Sequence, residues 1–167
     1  MHKITASFFI WFCVCAPAAC AQIGGSVEGF KTGKFALAEG FNLHGSYLIT
    51  DDPVHQGRYA YNFFTADNRY RIQLIADKKG RNIVFEYFFY PADDDPMAAM
   101  KDGSIAIAFV SQASGTEVGP EEFVSLVSEA NRGRPNIKFT KIIKRYTVSM
   151  TRHDTDILKG WSIGIRR

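Results

Sequence analysis

Three histidines follow the first 21 residues, and histidine is the residue type most often found in metal sites and general-base sites. His44, His55 and His153 do not fall at zinc-motif spacings, and no cysteine lies near them. A metal site assembled in space from His55 with Asp51 and Asp52 remains an alternative. We favour a solvated loop histidine at position 55, and the sequence predicts neither a metal nor a cofactor.

Three consecutive aspartates, Asp93, Asp94 and Asp95, raise the question of calcium. Calcium loops place their ligands at alternate positions and add a glycine and a distal glutamate. The aspartates lack that spacing and stand directly before Pro96. Helix capping by Asp95, with the other two carboxylates in solvent, is the interpretation that we favour over a calcium site.

No nucleophile motif is present, because the sequence contains no Gly-x-Ser-x-Gly. A Ser-His-Asp set built from His153, Asp154 and a distant serine stays open, since such triads are defined in space and not by spacing. We therefore expect a protein that is not an enzyme. A hydrolase with an unrecognised site is the alternative.

A basic run near the C-terminus is the best candidate for an interaction site. Its basic residues alternate irregularly with apolar ones, and they are Lys138, Lys141, Lys144 and Arg145. The core-facing positions change from odd to even near Ile142, which predicts a β-bulge or a strand break. A basic surface on an exported protein can bind an acidic partner, an anionic lipid or a glycan.

Four aromatic residues occur in succession from Tyr87 to Tyr90. Phe88 and Tyr90 are predicted to lie on the face opposite the core residues of their strand. Either a second layer covers them, such as a helix that contains Phe123, or they form an exposed patch for a partner protein or an apolar ligand. Both residues are therefore candidate binding residues.

The N-terminal segment, residues 1–21, has the layout of a cleavable signal peptide. Lys3 supplies the positive charge, an apolar run follows, and Ala19-Cys20-Ala21 reads as a cleavage site. The run is shorter than the roughly 20 residues that span a bilayer. The sequence thus predicts a periplasmic or secreted protein, with a lipid anchor on Cys20 as the alternative.

All three cysteines lie within this segment, so residues 22–167 contain no thiol and can form no disulfide. The 146 residues from 22 to 167 suit a single domain, and none of their stretches is long and apolar enough to cross a membrane. Disulfide-free secreted domains are unusual in eukaryotes, which favours a bacterial envelope.

The charges are distributed unevenly along the chain. Residues 132–167 contain ten lysines and arginines against two aspartates, whereas residues 22–131 carry a net negative charge. If strands from both parts share one sheet, these charges will mix on the surface, and we favour that outcome.

Alternating apolar residues over 69–90 predict a β-hairpin around the turn Asp77-Lys78-Lys79-Gly80. In the register that aligns the apolar faces, Leu74 would face Ile83, Ile72 would face Phe85 and Tyr70 would face Tyr87. The same register places Arg71 opposite Glu86 as a cross-strand ion pair.

Further strands are predicted over Lys34–Ala38, 41–49, 58–65 and 105–111, followed by a hairpin of 146–150 with 161–165. Gly160 and Gly164 leave one face of the last strand nearly bare, which indicates close approach by a neighbour. A helix is predicted to begin at Pro120 and end at Gly133, and a short helical turn to cover 96–101. The predicted fold is α+β: a twisted, mostly antiparallel β-sheet with one amphipathic helix packed on a face.

These observations predict an exported, non-enzymatic binding protein, of the inhibitor, immunity or secretion-accessory type. Its partner would be another protein, an acidic one in view of the basic run. A small apolar ligand, carried in a cavity between sheet and helix, is the alternative. Nucleic acid is not expected, because no binding motif is present and the chain is predicted to be exported.

Overall fold

The computed structural model describes residues 22–92, 94–156 and 158–167. The predicted signal peptide with its cysteines, and Asp93, lie outside the described residues. The described chain has the predicted α+β fold, with an antiparallel sheet and helices. Its strands are β1 (Asn42–Leu48), β2 (Tyr59–Phe64), β3 (Arg71–Ala76), β4 (Ile83–Pro91), β5 (Phe139–Ile143), β6 (Tyr146–Asp154) and β7 (Lys159–Arg166). Its helices are α1 (Val27–Lys31), α2 (Lys34–Ala38), α3 (Pro96–Ser114) and α4 (Pro120–Arg132).

The strands lie in the order β1-β2-β3-β4-β7-β6-β5, and every neighbouring pair is antiparallel. The first four form a meander. The chain then leaves the sheet to form α3 and α4, and it returns to build β5, β6 and β7. The predicted C-terminal hairpin is present as β6 and β7, and β7 also joins that half of the sheet to β4.

Two predicted strands are helical in the structure. The predicted helical turn over 96–101 and the predicted strand over 105–111 are one helix, α3, capped by Asp95 and ended by Gly115 at a φ of 60°. Residues 105–111 are almost continuously apolar, and such a run suits a buried helix as well as a strand. Lys34–Ala38 is the short helix α2. The predicted helix at Pro120 is confirmed as α4, with Gly133 as its C-cap.

All the described helices pack on the same face of the sheet. Apolar residues of α1, α3 and α4 join those of β3, β4, β6 and β7 in the main core. Phe30 of α1 packs edge-on against Phe63 of β2 at 4.9 Å, and Phe109 of α3 stacks on Phe88 of β4 at 5.1 Å. The sequence predicted one helix on this face, whereas the structure places several helices there.

A β-bulge at Val84 sets which residues of β4 face the helices. Ala76 pairs with Ile83 and Ile75 pairs with Phe85, so Val84 is the additional residue. The predicted register was wrong, because Ile72 pairs with Phe88 and Leu74 pairs with Glu86. Beyond the bulge, the even-numbered residues of β4 face the helices and the odd-numbered residues face the other side.

The bulge turns the carboxyl group of Glu86 into the core. The predicted ion pair with Arg71 does not form, because Arg71 lies opposite Phe89 and projects from the other face. Both carboxyl oxygens of Glu86 are buried and have no hydrogen-bond partner among the described residues. Burial raises the pKa of Glu86 well above its ordinary value, because a buried carboxyl group without a partner favours its neutral, protonated form.

We expect Glu86→Gln to make the protein more stable than the wild type above about pH 5. In the wild type the unfolded chain loses the Glu86 proton near pH 4.5, while the folded protein keeps it. The contribution of this group to stability is therefore complete below that pH and is lost as the pH rises towards the raised folded pKa. The difference in free energy of unfolding between Glu86→Gln and the wild type should therefore grow by about 1.4 kcal/mol for each pH unit between about pH 4.5 and the raised folded pKa.

Urea unfolding from pH 4 to pH 8 measures this difference. Glu117→Gln, at an exposed carboxyl group, is the matched control for the loss of one acidic side chain. A difference between Glu86→Gln and the wild type that stays constant with pH would contradict a protonated Glu86 in the core.

Candidate functional site

The structure divides the predicted basic run between two places. Lys144 and Arg145 form the two-residue turn between β5 and β6, where Lys144 has a φ of 54°, so the predicted strand break is this turn. Lys141 projects towards α4 and forms an ion pair with Glu129 at 3.4 Å. Lys138 is exposed just before β5. The four cations do not converge on one site.

Phe88 and Tyr90, the predicted aromatic binding residues, lie in the main core. Phe88 is completely buried and Tyr90 nearly so. Their rings stack at 5.4 Å, and α3 covers them through Phe109. The first of the two alternatives therefore holds, since a second layer covers these residues, although the covering helix is α3. No exposed patch forms from them.

The predicted metal and calcium alternatives gain no support from the part of the chain that the structure describes. It contains no group of three histidine or acidic side chains that could hold a metal ion. The prediction of a solvated His55 is wrong, because this side chain is buried against the sheet. Its ring packs edge-on against Phe85 at 5.4 Å, and burial lowers its pKa. Asp95 caps α3, because its side chain accepts a hydrogen bond from the backbone N–H of Met97 at 3.1 Å.

His153 and Ser162 approach each other across β6 and β7, with 2.8 Å between Nε2 and Oγ. Burial lowers the pKa of His153, which favours the neutral imidazole that a general base requires. Asp154 cannot complete a triad, because successive residues of a strand point to opposite faces. The backbone of β7 is also paired on both sides, with β4 and with β6, which leaves no free N–H groups for an oxyanion hole near Ser162.

No described helix packs on the opposite face of the sheet, and we call it the open face. At one end of this face Ala60, Ile75 and Phe85 form a small buried cluster with Ile49. Its residues line up in cross-strand rows that the strand pairing defines. The central row consists of Asn42, Phe64, Arg71, Phe89, Ser162 and Thr151. The next row consists of Gly45, Asn62, Gln73, Tyr87, Gly164 and Ser149, and the third of Tyr47, Ala60, Ile75, Phe85, Arg166 and Thr147.

Aromatic rings form a ladder along the open face of β4. Phe85 and Tyr87 are nearly parallel, with ring centroids 4.3 Å apart, and Tyr87 and Phe89 follow at 6.3 Å. Phe85 is covered by the loop that contains His55, whereas Tyr87 and Phe89 are half-buried. On β1, Tyr47 is 50% exposed and accepts a hydrogen bond from the amide of Gln73. The ladder thus offers apolar area with polar groups beside it.

Arg71 lies in the middle of this face, between two aromatic rings. Its guanidinium carbon is 4.5 Å from the centroid of Phe89 and 5.9 Å from that of Phe64. The neighbouring Arg69 is used structurally, because it binds the buried carboxylate of Asp102 at 2.8 Å. The Tyr70 hydroxyl donates to the same carboxylate at 2.6 Å, and burial together with that hydrogen bond raises the pKa of Tyr70 to about 12.

Two recesses share the ring of Phe89. One, of about 230 Å³, lies where β2 and β4 end and is lined by Phe64, Arg71, Lys159 and Trp161 among others. The other, of about 250 Å³, is lined by Tyr47, His55, Gln73 and Tyr87 among others. Two further recesses lie at the rim, against residues 23–24 and against α1. None of these four recesses lies between the sheet and α3 or α4.

The electrostatics of the open face are one-sided. The three rows carry Arg71 and Arg166 and contain no aspartate or glutamate within the strands described above. An acidic side chain of the loop before β2, Asp52, lines the second recess and acts on Tyr87 of the ladder. A positive, aromatic surface of this kind attracts anionic groups.

The sequence interpretation missed the aromatic ladder because it assigned Phe85, Tyr87 and Phe89 to the core. One signal could have corrected this. Every residue from Ile83 to Tyr90 except Glu86 is apolar, which is typical of a strand covered on both faces and not of one with a single core face.

Comparison of the chain with protein-family models, with curated proteins and with solved structures gives no match. Among the described residues, no helix is long and apolar enough to cross a membrane.

Beside the ladder, β7 packs closely against its neighbours at Gly160 and Gly164, as the sequence predicted from its nearly bare face. A Cβ atom at Gly160 would overlap the carbonyl oxygen of Tyr90, and one at Gly164 would lie 2.8 Å from Oγ of Ser149. We expect Gly160→Ala to lower the free energy of unfolding by about 1–3 kcal/mol, because the obstacle is backbone and the β4–β7 pairing must shift.

Thermal and urea unfolding test this expectation. Gly45→Ala on β1 is the control, since a Cβ atom there meets no atom within 4 Å. Its effect should stay below about 1 kcal/mol. Equal effects of the two substitutions would contradict the close packing of β7 against β4.

Proposed function

We propose that this chain is an exported, non-enzymatic binding protein that holds an acidic partner protein on its open face. The observation that carries the proposal is the composition of that face, which combines an aromatic ladder with an arginine that forms no ion pair with any described carboxylate, and with three rows that contain no aspartate or glutamate. Aromatic residues and arginine are enriched where protein interfaces derive most of their binding energy.

The dimensions of the open face limit the kind of partner that it can hold. The width of the sheet is about 29 Å at the usual strand spacing, and the rows extend over about 20 Å. The product of these lengths is about 580 Å², below the roughly 800 Å² that each partner contributes to a standard protein interface, and the loop that contains His55 covers Phe85 in the third row. The two recesses that Phe89 lines are smaller than typical small-ligand pockets, which measure about 300–1,000 Å³, and each could receive one side chain of a partner. The recess against residues 23–24, which Phe85 and Arg166 also line, measures about 460 Å³ and lies within that range.

Export is the second part of the proposal and rests on the sequence. The layout of residues 1–21 is that of a cleavable signal, and the remaining chain contains no cysteine that an oxidising compartment would modify. A periplasmic or secreted location would give the open face access to partners outside the cytoplasm.

A hydrolase is the second candidate function, and the 2.8 Å contact between His153 and Ser162 is the observation that favours it. We rank it lower because no described carboxylate orients His153 and the paired backbone of β7 offers no oxyanion hole beside Ser162. The two functions predict different chemistry at Ser162. A fluorophosphonate probe should leave the protein unlabelled if it is a binding protein.

Site-specific photo-crosslinking in the cells that produce the protein tests the proposal. Benzoyl-phenylalanine at Phe89 on the open face should form adducts with an acidic protein. The same probe at Val124, an exposed position of α4, is the matched control and should not. Tyr87→Ala or Arg71→Gln, introduced beside the probe, should reduce the yield about tenfold, since such side chains act as interface anchors.

Three results would contradict the proposal: equal adducts at the two positions, adducts with lipid or glycan only, or labelling of Ser162 by the fluorophosphonate. Raising the salt concentration to 0.5 M should also weaken the adduct at Phe89, because it screens the attraction between the positive face and an acidic partner.

A further inference from the structure

We infer that Arg71 is a receptor for a single side-chain carboxylate, supplied by an aspartate or glutamate of the acidic partner. The inference rests on the proposed function and adds to it the ligand group, the receptor residue and the recess that receives the group. It begins from the strand pairing, which places one arginine between two aromatic rings in the central row of the open face.

The position of the Arg71 side chain is restricted before any ligand binds. Phe64 and Phe89 are its cross-strand neighbours, and both rings lie within 6 Å of the guanidinium carbon. Stacking on aromatic faces holds the planar group by cation–π attraction and limits its rotamers. Less conformational entropy is then lost when the guanidinium binds an anion.

The donors of this guanidinium are available. Among the described residues, no side chain or backbone oxygen accepts a hydrogen bond from the Arg71 side chain, and no carboxylate lies within ion-pair distance. The guanidinium of Arg69, two residues earlier, differs from that of Arg71 because it already donates hydrogen bonds to both carboxylate oxygens of Asp102. Of these two arginines, only Arg71 can therefore offer a fork of parallel N–H groups to a ligand.

The recess beside Arg71 fits the group that would carry the carboxylate. Its volume of about 230 Å³ and its lining by Phe64 and Phe89 suit the methylene carbons of an acidic side chain. A planar carboxylate matches one guanidinium fork with two hydrogen bonds, which is the geometry that Arg69 already forms with Asp102.

Nuclear magnetic resonance titrations with small probes test the inference without a known partner. N-acetyl-aspartic acid amide presents only a side-chain carboxylate, N-acetyl-alanine presents only a chain-terminal carboxylate, and inorganic phosphate presents neither. We expect the blocked aspartate, or its glutamate analogue, to shift the Arg71 Nε–Hε signal and the ring signals of Phe89. Its apparent affinity should exceed that of the other two probes.

Arg71→Lys keeps the charge and removes the fork, so it should weaken binding of the blocked aspartate about tenfold. Phe64→Leu and Phe89→Leu keep the guanidinium but remove its stacking partners, and each should also weaken binding. Arg81→Lys, at an exposed arginine away from the recess, is the control and should bind as the wild type does. Amide spectra of each variant establish that it is folded.

Unchanged binding by Arg71→Lys would overturn the inference, as would shifts confined to other arginines. Tighter binding of phosphate or of N-acetyl-alanine would overturn the assignment to a side-chain carboxylate. A negative titration together with positive crosslinking at Phe89 would refute the role of Arg71 and leave the proposed function in place. Loss of crosslinking with a positive titration would refute the acidic protein partner instead.

Discussion

The extra residue at Val84 is the constraint on which the rest of the structure depends. Side chains alternate along a strand, so one inserted residue reverses the direction of every side chain beyond it. The bulge turns Phe88 and Tyr90 towards α3, where they complete the main core. It turns Tyr87 and Phe89 to the opposite side, where no helix covers them. Core and open face are thus two results of one local irregularity.

The same bulge places two ionisable residues on opposite faces of the sheet. Ala76 pairs with Ile83 before the bulge, so without it Glu86 would lie opposite Gln73, on the same face as Arg71. With it, Glu86 lies in the core, where burial raises its pKa, and Arg71 lies on the open face. Burial of an unpartnered carboxyl group opposes folding. The core is therefore less stable than one with an apolar residue at position 86, and the open face carries an arginine that pairs with no described carboxylate. The bulge at Val84 thus both lowers the stability of the core at Glu86 and leaves Arg71 on the open face for binding.

Much of the fold could be predicted from the sequence, whereas most of the candidate site could not. Alternation identified the strands and the C-terminal hairpin, and Pro120 with Gly133 identified α4, because these signals are local. The run over 105–111 has no distinguishing period, so it was assigned to a strand although it belongs to α3. The bulge depends on packing against other elements and leaves no local signal. The candidate site depends on that bulge, and the sequence therefore pointed to Phe88 instead of Phe89.

The position of β7 has a consequence for how the protein is made. This strand follows all the other described strands in the chain, yet it lies between β4 and β6. The meander β1–β4 and the hairpin β5–β6 cannot join until residues 159–166 have been synthesised. Contacts between such distant segments form slowly, since a long loop must close first. Completion of the sheet is therefore a late event in the synthesis and folding of the chain.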